Sequence, residues 1–289
     1  MARLIDQSRF MSLALGRLLP DVITAFSGMR VLDLACGPGA WATEMAYQYP
    51  DIEVLSVDCD PVVITYARAL AQVQRLENVS FLQLDIKEPL EFASRTLDLV
   101  HGRFLVGVLD QTCWQAVIHE CYRVLKPGGV LLLTECEGAL TNSHALHQLQ
   151  SALFHAFFQE KRTFSLDGQS LGITHMLSTF LQRAGFTGIE KNPFILDSSY
   201  NSPHFLAMQR NMHMLFMFLK PYLLKVGVIE EKACFDQLYE QMSEEMLQEA
   251  YICQHFGLRA WGIKPGPRGD ILMKNRLSQV PDEIILARE

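Results

Sequence analysis

The residues best suited to chemistry lie around a pair of glycines in the first fifth of the chain. The segment Val31–Ala42 has the sequence VLDLACGPGAWA, in which an apolar run leads into Gly37 and Gly39 and then into a helix-forming stretch. Taken literally, Gly37-x-Gly39-x-x-Ala42 with Asp58 downstream satisfies the glycine fingerprint of dinucleotide-binding turns. Because glycine lets the backbone approach a ligand closely, the pattern predicts a nucleotide site. A nicotinamide-dependent oxidoreductase is one alternative that it leaves open.

An acidic residue beside this turn distinguishes between cofactors. Asp33 precedes Gly37 by four residues, at the end of the predicted strand, where a nucleotide ligand would lie. A fixed negative charge at that point would repel a pyrophosphate, which binds to backbone N–H groups at a helix amino terminus. Asp33 therefore favours a ligand that carries positive charge.

Two further carboxylates follow at similar spacing. Asp58 ends EVLSVD and Asp85 ends VSFLQLD, 25 residues after Asp33 and a further 27 residues on. One βα unit is about that long, so the three carboxylates are expected side by side at the carboxyl edge of adjacent strands. S-adenosylmethionine has matching groups, namely a sulfonium and an ammonium, a ribose diol and an adenine amine. Three such hydrogen bonds at about 1.5–3 kcal/mol each supply a useful share of the ~8 kcal/mol that a micromolar ligand requires.

The elements that position these carboxylates alternate regularly along the chain. The β-rich runs RVLDL, EVLSVD, VSFLQLD, LDLVHG and VLLLTE alternate with helical stretches near 39–48, 61–76 and 111–124. This order predicts an α/β fold with a Rossmann-like, doubly wound, mostly parallel sheet. Asp60 before Pro61 is typical of a helix start, and Lys126–Gly129 (KPGG) ends a helix and turns the chain into the next strand.

The second half of the chain completes the sheet around an insertion. Helical stretches near 143–159 and 172–184 lead to strands near 188–195 and 257–264. The residues between these strands, 200–250, look helical and are rich in Met, Phe and Tyr. A connection of that length is usually functional.

Composition excludes several classes of protein. The 289 residues are 49% hydrophobic and 20% charged, so the chain can bury a sizeable core and is neither disordered nor fibrous. A net charge of −7 disfavours nucleic acid as a partner. The seven cysteines form no CxxC pair, which favours reduced thiols in a cytoplasm and offers no zinc site.

The two segments that most resemble a secretion signal or a membrane span contain too many polar residues for either role. The first 16 residues lack the continuous apolar core of a secretion signal, and charged residues interrupt the stretch 204–224. We therefore expect a cytoplasmic protein without a membrane partner, with a homodimer as one option for its assembly.

The motifs together resemble a known family. VLDLACGPG, SVDCDP, LQLD and RVLKPGGVLLLTE are similar to the successive motifs of class I S-adenosylmethionine-dependent methyltransferases, especially those that act on small molecules. The resemblance covers about residues 30–136, and GLRAWGIKP corresponds to the last strand of the family. It implies S-adenosylmethionine as the cofactor, bound by Asp33, Ala35, Cys36, Gly37 and Gly39 around its methionine part, Asp58 at the ribose, Cys59, Asp85 and Ile86 around the adenine, and Arg103 near the methyl group.

Methyl transfer sets few demands on catalytic residues. It is an in-line displacement, so the protein mainly holds nucleophile and methyl within about 3–3.5 Å and excludes water. A general base would help a hydroxyl or acidic carbon acceptor, and the candidates are His101, His204 and His213. The segment LDLVHGRFLVGVLD offers only Asp98 and Asp110 as carboxylates, so no metal is expected.

The insertion suggests the type of acceptor. Met208, Met212, Leu215 and Leu219 fall on one helical face, and methionine adapts to irregular apolar ligands. We expect a bulky, apolar, natural-product-like acceptor. Its candidate contacts are Trp41, Phe104, Tyr200, His204, Met208 and Met212.

These predictions divide the chain into five parts. They are an N-terminal helical lid over 1–28, a cofactor-binding core over 29–199, a helical cap over 200–250, the last core strand over 251–265 and a C-terminal tail over 266–289. A protein that binds the cofactor without transferring its methyl group is a further alternative.

Overall fold

The computed structural model describes residues 2–266, so the predicted tail, apart from Gly266, lies outside the described residues. The helices are α1 (Ala2–Leu15), α2 (Ala40–Gln48), α3 (Pro61–Val73), α4 (Gln111–Val124), α5 (His144–Gln159), α6 (Leu177–Arg183), α7 (Phe205–Val226) and α8 (Lys232–Met246). The strands are β1 (Arg30–Leu34), β2 (Glu53–Asp58), β3 (Val79–Gln83), β4 (Leu97–Arg103), β5 (Leu125–Thr141), β6 (Thr187–Asp197) and β7 (Cys253–Ile263). Two short 3-10 helices span Leu105–Gly107 and Thr174–Met176.

The described strands form one sheet in the order β3-β2-β1-β4-β5-β7-β6. Neighbouring strands from β3 to β5 are parallel, whereas β7 is antiparallel to both β5 and β6. The predicted Rossmann-like, mostly parallel α/β fold is therefore confirmed. The carboxyl ends of β1, β2 and β4 meet at one edge, where such sheets bind ligands.

Local chemistry fixes the ends of several helices. The Asp60 side chain accepts a hydrogen bond from the Val62 amide (2.8 Å), and Pro61 occupies the first position of α3. This start was predicted, but α3 ends at Val73 rather than near residue 76. The reason is that Arg75 adopts a left-handed conformation (φ 55°), which an α-helix does not continue through.

Helices cover both faces of the sheet, and a further group packs beside it. α2 and α3 pack on one face, and α4 and α6 on the other, where Trp114 stacks on Phe180 with ring centroids 5.3 Å apart. α5, α7 and α8 form a separate apolar cluster with Phe10 and Met11 of α1. The predicted insertion over 200–250 supplies α7 and α8. No helix within residues 2–266 is both long enough and apolar enough to cross a membrane.

Gly39 at the start of α2 allows a close approach between elements. It has φ 76°, and a Cβ built on it would lie 2.6 Å from Phe81 Cε1 and 3.0 Å from Ala67 Cβ. Only glycine therefore satisfies both the backbone conformation and the packing against α3 and β3.

We expect Gly39→Ala to lower the free energy of unfolding. The left-handed backbone alone costs about 1–2 kcal/mol for alanine, and the clash with the Phe81 ring adds to it. Gly37→Ala is the matched control, because Gly37 is also left-handed (φ 55°) but an added Cβ there meets nothing within 4 Å. Urea denaturation of both variants checks this, and equal losses in the two would contradict the packing argument.

A histidine is buried near the start of β7. His255 lies between Ala139 of β5 and Leu196 of β6 in the strand register, and its exposed fraction is 9%. Burial disfavours the imidazolium and lowers the pKa of His255 to about 4, although a hydrogen bond with the Glu137 backbone opposes the shift. His255 is therefore neutral in the folded protein at neutral pH.

This burial predicts a loss of stability in acid. Because the folded pKa lies below the unfolded value of 6.5, the unfolded chain binds more protons, and stability present above pH 6.5 is lost as the pH falls towards 4. The lowered pKa of His255 contributes about 3 kcal/mol to the free energy of unfolding above pH 6.5. His255→Gln should show a correspondingly smaller loss of unfolding free energy between pH 7 and pH 4 in chemical denaturation. The exposed His175→Gln variant is the control, and a wild-type pH dependence in His255→Gln would contradict the prediction.

Candidate functional site

A cavity of about 540 Å³ lies between the carboxyl edge of the sheet and the helices α1, α5 and α7. One part, the polar rim, is lined by Asp33, Asp58, His101, Arg103 and the loop 35–38. The other part, the apolar chamber, is lined by Leu146, Leu153, Phe154 and Phe157 of α5 and by Met208, Met212, Leu215, Phe216 and Leu219 of α7. The volume is in the range of about 300–1,000 Å³ that is typical of ligand pockets.

Asp58 holds the glycine turn in place. Its Oδ2 accepts a hydrogen bond from the Gly37 amide (2.9 Å), and its Oδ1 accepts one from the Asp60 amide (3.0 Å). An added Cβ at Gly37 would meet open space, so the turn is not filled by neighbouring protein atoms. Each carboxylate oxygen can accept a further hydrogen bond, and Asp58 lines the cavity.

Asp33 and His101 form a buried pair on adjacent strands. They are register partners on β1 and β4, their exposed fractions are 3% and 2%, and Asp33 Oδ1 lies 2.7 Å from His101 Nδ1. The His101 ring stacks on Trp41, with centroids 3.8 Å apart. Burial lowers the pKa of His101 although the hydrogen bond to Asp33 opposes this, so the histidine is neutral. The partner of the Asp33 side chain beside the cavity is therefore a neutral ring and not a cation.

Arg103 connects the sheet edge with α1. Its Nη2 donates to Ser8 Oγ (2.7 Å), and Asp33 favours its charged form, although burial is the stronger effect and lowers the Arg103 pKa. The next residue, Phe104, is left-handed (φ 58°), and its amide donates to the Thr134 carbonyl. Both Arg103 and Phe104 line the cavity.

A buried acid supports the turn after β4. Glu135 Oε1 accepts a hydrogen bond from the Leu105 amide (2.6 Å), and the side chain is fully buried. Burial disfavours the charged form and raises the pKa of Glu135 well above its usual range, although the hydrogen bonds from the backbone of Leu105 and Val106 oppose the shift. Glu135 does not line the cavity and acts through the backbone that it holds.

A bulge in β5 shapes the chamber. The β5–β7 register shifts between Cys136 and Ala139, so Glu137 and Gly138 leave the regular ladder and line the cavity. The Glu137 carboxylate accepts hydrogen bonds from the Gly172 amide and from the amide and hydroxyl of Thr174. The polar groups of this wall are thus already paired within the protein.

The structure brings together many of the residues predicted for the site. Those that line the cavity are Asp33, Ala35, Cys36, Gly37, Trp41, Asp58, His101, Arg103, Phe104, Met208 and Met212. Those that do not are Gly39, Cys59, Asp85, Ile86, Tyr200, His204 and His213.

Of the three carboxylates that are predicted to lie in a row, Asp33 and Asp58 line the cavity and Asp85 does not. Asp85 is exposed, follows the last residue of β3 by two positions and accepts a hydrogen bond from the Lys87 amide. Ile86 is 4% exposed and belongs to the core, and Cys59 is exposed. The cavity does not extend to these residues, and their contacts with an adenine remain a prediction.

Three residues expected at the acceptor site face other elements. Tyr200 packs on Phe205, with ring centroids 5.3 Å apart. His204 lies edge-on to Phe10, and His213 Nδ1 is 3.1 Å from the Tyr239 hydroxyl. His213 lies on the side of α7 opposite the cavity-facing residues, whereas His204 precedes the first residue of α7, at the amino-terminal end of the helix. Within residues 2–266, no three His, Cys, Asp or Glu side chains are grouped so that they could hold a metal ion.

Other lining residues were missed from the sequence. The apolar periodicity of α5 was visible, but nothing local placed this helix against α7. Asn211 lines the chamber between Met208 and Met212, both predicted acceptor contacts, so helical periodicity places it on the same face. His255 also lines the cavity, and its place depends on the β5–β7 register, which the sequence does not reveal.

Comparison with known proteins identifies curated relatives. A family model described as a methyltransferase domain matches residues 25–191. Methyltransferase str3 of Strobilurus tenacellus is 34% identical over 108 residues, covering 37% of this chain and 35% of that protein. Methyltransferase cpsF of Aspergillus campestris is 27% identical over 170 residues, covering 56% and 57% respectively. The chain thus matches less than two thirds of the length of either relative.

Solved structures agree with the fold. Phosphoethanolamine N-methyltransferase 2 of Haemonchus contortus, in complex with S-adenosyl-L-methionine, aligns with a TM-score of 0.53 at 19% identity. The alignment covers 90% of this chain and 53% of that chain, and it shows the likeness of fold. The family match selects the methyltransferase interpretation of the glycine pair over the nicotinamide one. Because that match spans more than half of the chain, the protein belongs to the class I S-adenosylmethionine-dependent methyltransferase family.

Proposed function

We propose that this protein transfers the methyl group of S-adenosylmethionine to a small, largely apolar, natural-product-like acceptor. The observation that carries the proposal is the continuity of one cavity from a charged rim to an apolar chamber. A cationic donor bound at the rim would adjoin an uncharged ligand in the chamber. A small molecule is accordingly the partner that we propose.

The chemistry of the rim suits this cofactor. Asp33 offers a buried negative charge for the cationic methionine part, and Arg103 offers a guanidinium for its carboxylate. Asp58 offers carboxylate oxygens for the ribose hydroxyls, beside Cys36 and Gly37 of the open turn. When bound, S-adenosylmethionine supplies an electrophilic methyl group.

The chain itself orients the ligands and excludes water. Arg3, Gln7 and Phe10 of α1 line the cavity, and Ser8 is tied to Arg103, so we propose that the N-terminal helix serves as a lid. The helices α7 and α8 then act as the cap over the acceptor. Burial of the reacting groups in this way favours close alignment over reaction with solvent.

We propose His101 as the general base. Of the three predicted histidines, it is the one that lines the cavity. With Nδ1–H donating to Asp33, its Nε2 is the unprotonated nitrogen, and the ring is neutral. A neutral imidazole held in one tautomer is the form that accepts a proton from an acceptor hydroxyl.

The role of Asp58 is tested by cofactor affinity. Asp58→Ala should weaken the binding of S-adenosylmethionine by about 1.5–3 kcal/mol, roughly ten- to a hundredfold, since hydrogen bonds to a charged group are lost. Isothermal titration calorimetry measures the change. The control is Asp60→Ala, which removes the cap of α3 at an exposed residue outside the cavity and should leave the affinity unchanged. Equal affinity in wild type and Asp58→Ala would remove Asp58 from the site.

The transfer itself is tested with S-adenosylmethionine labelled on the methyl group and a panel of apolar hydroxylated aromatic and terpenoid compounds. We expect the label to appear in at least one acceptor. If wild-type protein fails to bind S-adenosylmethionine, the proposal is wrong. If it binds but no label is transferred, a cofactor-binding protein without transfer becomes the better account.

A further inference from the structure

One polar residue interrupts the cavity-facing stripe of α7. The stripe has the helical spacing expected of a buried face, at which apolar residues are the rule. Its members that line the chamber are Met208, Asn211, Met212, Leu215, Phe216 and Leu219. Asn211 is the polar member of this set.

The Asn211 amide is buried without a full set of partners. Its exposed fraction is 5%, and its Oδ1 has no hydrogen-bond partner. Its Nδ2 lies 3.6 Å from Met208 Sδ, which is a weak acceptor. Burying an amide without hydrogen bonds is unfavourable, and an apolar side chain would follow the helix pattern better. This position therefore carries a cost in folding that packing does not explain.

The neighbouring polar side chains of the lining do not share this property. Gln150 donates to and accepts from the backbone of Ala139. His255 contacts the Glu137 backbone and lies 3.8 Å from Cys253 Sγ. Among the described residues of the α5 and α7 walls, Asn211 thus presents the amide that is left for a ligand.

The surroundings of Asn211 define the ligand group. The chamber walls on α5 and α7 bear no Lys, Arg, Asp or Glu among their lining residues, so a neutral group fits better than an ion. Phe154, Phe157 and Phe216 contribute aromatic rings, which pack favourably against a flat ring system. An unpaired amide oxygen needs a hydrogen-bond donor, and a hydroxyl is the simplest neutral one.

We propose that Asn211 determines acceptor specificity by accepting a hydrogen bond from a hydroxyl group on an apolar, ring-containing acceptor. The inference rests on the proposed function, because it assigns the chamber to the acceptor. It makes Asn211 a recognition residue that contacts the substrate and makes the hydroxyl a requirement for tight binding.

Three probes of similar size test the inference by calorimetry. They are 2-naphthol, which donates a hydrogen bond, 2-methoxynaphthalene, which only accepts one, and naphthalene, which does neither. Wild-type protein should bind 2-naphthol about fivefold or more tightly than the other two. In Asn211→Leu, the three affinities should agree within about twofold. Met217→Leu, an apolar exchange at an exposed position of α7 outside the cavity, is the matched control and should keep the preference.

Thermal unfolding separates recognition from packing. Asn211→Leu removes a buried unpaired amide, so its midpoint should equal or exceed that of the wild type. If Asn211→Leu does not fold, Asn211→Met, which matches its neighbours on the helix, takes its place. A large drop of the midpoint in the variant that folds would assign Asn211 to packing and overturn the inference.

Three binding results would overturn it as well. They are equal affinities of the wild type for all probes, a preference for 2-naphthol that survives removal of the amide, and no binding of any probe. Titration of the same preparations with S-adenosylmethionine separates the two proposals. Wild-type protein that binds the cofactor but shows no hydroxyl preference refutes the role of Asn211 alone. Failure to bind the cofactor refutes the proposed function.

Discussion

The architecture of the site depends on one buried hydrogen bond, between the Asp33 carboxylate and the neutral His101 ring. A buried carboxylate is costly unless it is hydrogen-bonded, and a cationic partner would cancel much of its field. A neutral imidazole stabilises the carboxylate without cancelling it. Trp41 of α2 stacks on the face of the same ring. The hydrogen bond and the stacking contact together link β1, β4 and α2 at this point.

The chamber depends on a different feature, the long connection between β6 and β7. These strands are antiparallel neighbours, which a short hairpin could join, but the chain between them forms α7 and α8 instead. The register of β5 shifts at Glu137 and Gly138, where α5 packs on the strand, and Gly138 allows the Phe154 ring of α5 to approach it. The Rossmann-like sheet thereby has an apolar compartment directly beside its polar rim.

The sequence predicted what depends on local chemistry. The alternation of strands and helices, the Asp60 cap and the positions of Asp33 and Asp58 all follow from short-range patterns, and the structure contains each of them. The prediction that the stripe of Met208 and Met212 faces a cavity also follows from helical periodicity alone.

What the sequence did not predict depends on contacts between distant segments. The residue type of His204 and His213 favours a catalytic role, but His204 precedes α7 and packs on Phe10 of α1, and His213 faces Tyr239 of α8. His255 and the wall formed by α5 are set by strand register and helix docking, which are long-range properties. Asp85 follows the right strand, but the loop after β3 leaves it exposed.

A crystal structure of the protein with S-adenosylhomocysteine, the demethylated form of the cofactor, would test this arrangement of rim and chamber. We expect its amino acid part beside Asp33 and Arg103, its ribose hydroxyls within hydrogen-bond distance of Asp58, and its sulfur directed towards the apolar chamber. Electron density for the ligand at any other place, or at the rim without contact to Asp33 and Asp58, would show that the rim is not the cofactor site.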